Sequence, residues 1–182
     1  MTNLDQPKRA LLALATVVVV SAAVVGLTRS YDGSSPDRPV YDHPGLFKAP
    51  PPCFHGVRPA PRAARVERQG HFYAERYPYD PRDGIEAVIR FQEAQSCYED
   101  ANLLEHARRA GQLAADLIER INTDYASSRL VLENALASEK WVVALNEIRL
   151  LLRLTEHVGD HVYVDYLSRI VGKVTIRANA AP

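Results

Sequence analysis

This 182-residue chain predicts an all-α fold, on three observations. Between Asp83 and Pro182 there is no proline, and glycine occurs only at Gly84, Gly111, Gly159 and Gly172. Over the same stretch apolar residues recur at steps of three and four, the spacing of a helix that buries one face. A period of two shows only in HVYVDYL, from His161 to Leu167, and no second such run exists to pair with it. The expected architecture is a set of antiparallel helical hairpins, preceded by a Pro-rich extended stalk and one N-terminal transmembrane helix.

Residues 1–9 form a short tail ending in Lys8 and Arg9. Residues 10–28 (ALLALATVVVVSAAVVGLT) carry no charge. As a helix rising 1.5 Å per residue they span about 28 Å, close to the hydrocarbon thickness of a bilayer. A short basic tail, an apolar run and a large following domain make a signal-anchor, so the tail is expected in the cytoplasm. The body is then periplasmic or extracellular, with a single pass through the cytoplasmic membrane. Flanking charge does not set the direction, because Arg29, Arg38 and Lys48 follow the segment as Lys8 and Arg9 precede it. The alternative is a signal peptide cut after Ala23, which releases a secreted ligand-binding domain or enzyme. The run is longer than a typical signal core, which favours the anchor. The first cysteine is Cys53, too distant to carry a lipid at the end of the run.

Residues 29–81 read as a linker. Ten of the twelve prolines lie between Pro36 and Pro81, and each fixes φ and removes a backbone donor, which argues for an extended, semi-rigid spacer. At about 3.1 Å per residue it would reach on the order of 100 Å. Ala60 to Gln69 fits a short helix with Arg58, Arg62, Arg65 and Arg68 on one solvated side. The aromatic-rich segment from His71 to Pro81 (HFYAERYPYDP) is expected to strap onto the helical domain.

Residues 82–174 hold the helices. The first runs from Gly84 to Ala101 with Asp83 as its cap and Ile85, Val88, Phe91, Ala94 and Tyr98 as its stripe. The second starts near Leu103 and either ends at Asn122-Thr123-Asp124 or continues as one rod to Leu136. The next, Glu139 to His157, is apolar over most of its circumference and should be the most covered element. Gly159-Asp160 ends it and caps a last helix carrying Tyr163, Tyr166, Leu167, Ile170 and Val171. Residues 175–182 are expected to be a flexible tail.

Sliding the domain on itself by 34 positions aligns Glu99 with Glu133, Ala101 with Ala135, Glu105 with Glu139, Ala110 with Ala144 and Leu117 with Leu151. The stretch SEKWVVAL, Ser138 to Leu145, and its first copy LEHARRA, Leu104 to Ala110, resemble the tetratricopeptide repeat, whose period is 34. The resemblance spans about Gly84 to His157, or about two copies. It departs from the family pattern at Tyr98 and Leu132, where a small residue is usual. It implies a helical surface that binds another protein, with Ala110, Leu117, Trp141, Ala144, Ile148 and Leu151 building the structural core.

The remaining residues point to no chemistry. Residues 82–182 hold twelve Arg/Lys against fifteen Asp/Glu, which argues against nucleic acid as partner. Arginine outnumbers lysine eighteen to four, a bias typical of a GC-rich bacterial genome. No nucleophile elbow, phosphate loop, zinc helix or dinucleotide fingerprint occurs, so no catalytic residue and no cofactor is expected. Gly159-Asp160 breaks the helix that would align His157 with His161, so no metal site is expected either. Glu93, Glu99, Asp100 and Glu105 read as solvated. Cys53 and Cys97 form an even pair suited to one disulfide in an oxidising compartment, clamping linker to domain.

Overall fold

The computed structural model describes residues 42–54 and 58–180. The expected tail 1–9, the membrane segment 10–28 and residues 29–41 lie outside the described residues, as do 55–57 and 181–182. Among the described residues every regular element is helical: α1 Pro59–Arg76, α2 Pro81–Asp100, α3 Leu104–Ala137, α4 Trp141–Thr155 and α5 Val162–Ala180. Each helix packs on the next, and α2 also meets α4. None of these helices is long and apolar enough to cross a membrane.

Helix α1 corrects the expectation of an extended linker through residue 81. Pro59 and Pro61 fall in its first turn, where backbone N–H groups have no helical partner to lose, and no further proline interrupts it. The helix buries Ala63, Val66, Glu67 and Gly70. The face expected to be solvated is partly engaged, since Arg62 forms an ion pair with Glu93 on α2. The aromatic segment packs on the domain only in part, and as helix rather than as an extended strap: His71 to Arg76 complete α1, Tyr77 is buried, Tyr73 is partly buried, and Phe72 and Tyr79 are exposed.

A strap exists further upstream, in residues 42–54. Leu46 is buried in the same apolar cluster as Val88, Ile148 and Leu151, and its carbonyl accepts a hydrogen bond from His157 Nε2 at 2.5 Å. The Ser96 hydroxyl donates to the Pro51 carbonyl at 2.9 Å. One step on, Cys53 and Cys97 are joined by a disulfide with their Cα atoms 4.8 Å apart. Closing that loop of 44 residues is worth about 4 kcal/mol in the chain-entropy model.

The cap of α2 is Asp80 rather than Asp83: its carboxylate accepts from the Arg82 backbone N–H at 3.1 Å, with Pro81 preset for the first helical position. Helix α2, and not α4, is the most covered element. Its buried positions include Ile85, Ala87, Val88, Phe91, Ala94 and Cys97, which face α1, α3, α4 and the strap in turn. In α4, by contrast, Val142 and Val143 stay exposed. Opposite α2, the first half of α3 buries Ala107, Ala110 and Ala114, small residues that let the two helices approach closely.

Helix α3 is a single rod of 34 residues, about 51 Å long. Asn122-Thr123-Asp124 has no residue that would break it, and the Thr123 hydroxyl is absorbed by the Glu119 carbonyl at 2.9 Å. The turns at its two ends are the same motif. Asn102 and Glu139 both adopt left-handed φ, 56° and 55°. The following N–H groups reach back to Tyr98 and Ala135, each at 2.9 Å, as in a Schellman cap. These turns stand 37 positions apart, from 102 to 139, so the 34-residue self-alignment does not coincide with the structural register. Gly159, φ 81°, ends α4 with the same handedness, and His161 caps α5 by accepting from the Tyr163 N–H at 3.1 Å. Helix α5 continues through Ala180, so the expected tail from 175 is helical where described.

Two predictions follow from these turns and from the strap. Glutamate is poorly suited to left-handed φ, so Glu139→Gly should raise the unfolding free energy by about 1 kcal/mol in urea titrations, and Asn102→Gly by less. His43, at the start of the strap, packs edge-on against Tyr163 with centroids 4.6 Å apart. Burial, and then the positive charge of Arg129, hold its pKa below the ordinary 6.5, against the opposing pull of Glu133 and Asp42. The folded state therefore prefers neutral His43. Its contribution is complete above about pH 6.5 and is lost as pH falls from there through the lowered value. Thermal melts between about pH 8 and pH 5 should show this loss, and His43→Phe, which keeps a ring against Tyr163, should show less of it.

Candidate functional site

The second half of α3 and the body of α4 run antiparallel and leave a cleft of about 310 Å³ between them. One wall is Arg120, Asp124, Ser127, Ser128 and Val131, spaced along α3 by the three- and four-residue steps of one helix face. The other is Glu147, Leu150 and Leu154 of α4. Tyr77, Pro78 and Pro81, from the corner between α1 and α2, close one end. Directly behind the α3 wall, Ile121, Tyr125, Leu132 and Ala135 are buried, so the rod has a packed face and an open one.

Each polar group in the cleft is oriented by a neighbour. The Tyr77 hydroxyl donates to Asp124 Oδ2 at 2.7 Å. Burial and this bond push the phenol well above its ordinary pKa of 10, so it stays protonated and remains a donor throughout the physiological range. The Arg120 guanidinium lies 5.5 Å from the centroid of the Tyr77 ring. Ser128 is 4% exposed, and its hydroxyl donates to Glu147 Oε2 across the cleft. Apolar surface accompanies these groups: Val131 is 40% exposed, and so is Val143, one helical turn from Glu147.

The carboxylates elsewhere in the structure behave differently. Glu67 is buried, accepts from the Tyr98 hydroxyl at 2.7 Å and is gripped by Arg109 at 2.9 Å, tying α1, α2 and α3 together. Glu93, expected to be solvated, is buried between Arg62 and Arg90. A second cleft of about 310 Å³ between α2 and α4 contains Arg82, Ile89, Arg153 and His157. There, Arg82 is held by Asp80 and His157 by Leu46.

None of the residues singled out for the core lines the α3–α4 cleft. Ala110, Ala144, Ile148 and Leu151 are buried, while Leu117 and Trp141 are only partly so. Trp141 sits at the start of α4 with Arg177 of α5 4.5 Å above its ring. Cys53, near the end of the strap, and Cys97 of α2 lie in a separate cluster with Ala63 and Val66. The cleft residues Tyr77, Arg120, Asp124, Ser128 and Glu147 escaped sequence reasoning. The available signal was the polar series 120, 124, 127, 128 beside the apolar series 121, 125, 132, 135 on one continuous helix. Among the described residues no group of three or more His, Cys, Asp or Glu is placed to hold a metal ion.

Across protein-family models, curated proteins and solved structures, no match to this chain is found.

Gly84 governs the closed end of the cleft. A Cβ at this position would stand 2.2 Å from Cδ2 of Tyr77, so only glycine lets the ring lie flat on α2. Gly84→Ala should displace Tyr77, cost about 1–3 kcal/mol in denaturant titrations and release the hydroxyl from Asp124. An unshifted Tyr77 ring resonance in that variant would refute the account.

Proposed function

We propose that this chain is a membrane-tethered scaffold. Residues 10–28 anchor it in the cytoplasmic membrane, and the helical domain, on the extracytoplasmic side, holds a segment of another envelope protein in the α3–α4 cleft. The observation that carries this reading is the cleft itself, where solvent-exposed valines flank oriented polar groups on two rigid helices. The Cys53–Cys97 disulfide supports an oxidising compartment.

The tetratricopeptide-like part of the proposal rests on two hairpins, α2 with α3 and α3 with α4, closed by matching Schellman turns. They share one helix, which makes the unit a fused variant of the repeat in this reading. Binding is favoured over catalysis because the carboxylates of the cleft are already engaged, Asp124 by Tyr77 and Glu147 by Ser128, beside the exposed apolar surface of Val131.

Site-specific photocrosslinking in intact membranes tests the proposal. A benzophenone side chain at Val131 or Val143 should give discrete protein adducts, and one at exposed Arg108, near the far end of α3, should not. Adducts only at Arg108, or a chain that leaves the membrane without detergent, would reject it.

A further inference from the structure

We infer that the α3–α4 cleft receives a helical segment carrying one lysine or arginine among apolar residues. This rests on the reading of the cleft as a partner site and adds the chemistry that the partner must present.

The charge pattern leads to it. Asp124 and Ser128 are four residues apart on α3, and the Ser128 hydroxyl holds Glu147, so the two carboxylates flank one turn of the cleft. Each is fixed by a hydroxyl, Tyr77 for Asp124 and Ser128 for Glu147. Among the described residues neither is in an ion pair, whereas buried Glu67 and Glu93 each hold an arginine. Arg120 is one turn from Asp124, yet its guanidinium is directed over the Tyr77 ring. Two carboxylates with unused lone pairs thus face a cleft whose lining cation, Arg120, is turned over the Tyr77 ring. An ammonium or guanidinium would complete them, and an acidic segment would be repelled.

The shape points to a helix. The α4 positions 147, 150 and 154 and the α3 positions 120, 124, 127 and 131 make two periodic walls. Along α3 the walled length is about 17 Å, or three turns of a guest helix. A third helix laid between two antiparallel ones seats its ridge in their groove, with apolar anchors at i, i+3 or i+4, and i+7. Val131 and Leu150 offer the surface for those anchors, with exposed Val143 one turn beyond Glu147.

The test is selection from a random-peptide phage library on the full chain in detergent micelles, followed by affinity measurement of the selected peptides. The expected pool carries a single Lys or Arg flanked by Leu or Ile at helical spacing and crosslinks to Val131. Asp124→Asn and Glu147→Gln, which can still accept from Tyr77 and Ser128, should each weaken binding about tenfold. Glu147→Lys should restore it for peptides with the basic residue changed to Glu. A neutral or acidic pool that still crosslinks to Val131 would overturn this inference and leave the cleft as a partner site. Peptides that bind without reaching Val131 or Val143 would overturn the partner-site reading itself. Self-association of the chain that disappears in the double variant would identify a second copy as occupant and overturn the inference.

Discussion

Burial of α2 on all sides is the constraint on which the rest of this structure depends. A helix with buried positions around its circumference, polar Gln92 and Glu93 among them, cannot stand at the edge of a bundle, so neighbours must cover its faces. Helix α1 takes one face through Ala63 and Val66, and the alanines of α3 take the next. Helix α4 meets a third, and the disulfide from Cys97 pins the strap over what remains. The carboxylates caught in this packing are matched: Glu67 with Tyr98 and Arg109, Glu93 with Arg62 and Arg90. Truncating one partner of such a pair leaves a buried charge, so these networks make the arrangement of α1 on α2 hard to exchange for another.

Periodicity made the helices legible and left their neighbours unread. The three- and four-residue steps locate α2 through α5, because each buries one stripe. Of helix α1 the stretch Ala60 to Gln69 is legible, but its continuation to Arg76 is not, and Pro59 and Pro61 forbid a helix only when they stand beyond its first turn. Relative burial was misjudged for a similar reason. Trp141 to Leu145 is continuously apolar, but Val142 and Val143 occupy the outer face of α4, whereas α2 reads as more polar while Gln92 and Glu93 are both buried within it. Charge alone does not reveal exposure when an arginine from the next helix arrives to neutralise it. The cleft was illegible for a different reason. Its parts come from residues 77, 120–131 and 147–154, brought together only by hairpin closure, and none forms a local motif.

The strap changes the geometry of the proposed tether. An extended linker through residue 81 would hold the domain on the order of 100 Å from a bilayer. Docking begins at residue 43, however, where His43 packs against Tyr163 within reach of the charges of Arg129 and Glu133. Between the apolar run and that point stand residues 29–42, fourteen in all. In any conformation they span no more than about 50 Å. On the anchor reading this bounds the distance from the end of the apolar run to the first docked residue, well below the reach of an extended linker through residue 81.

Rigidity and accessibility are divided between the two halves of α3. The first half is locked by Ala107, Ala110 and Ala114 against α2 and by Arg109 against α1. The second half packs on α4, with Tyr77 at one end of the cleft, and its outward face carries Asp124, Ser127 and Val131. Because the helix is unbroken, the clamped half fixes the register of the open half, and the cleft is held in place by packing more than 20 Å away along the rod. A turn at Asn122 would have uncoupled them. The continuous rod makes a preformed cleft, and a preformed cleft spends less of its partner's binding energy on ordering itself.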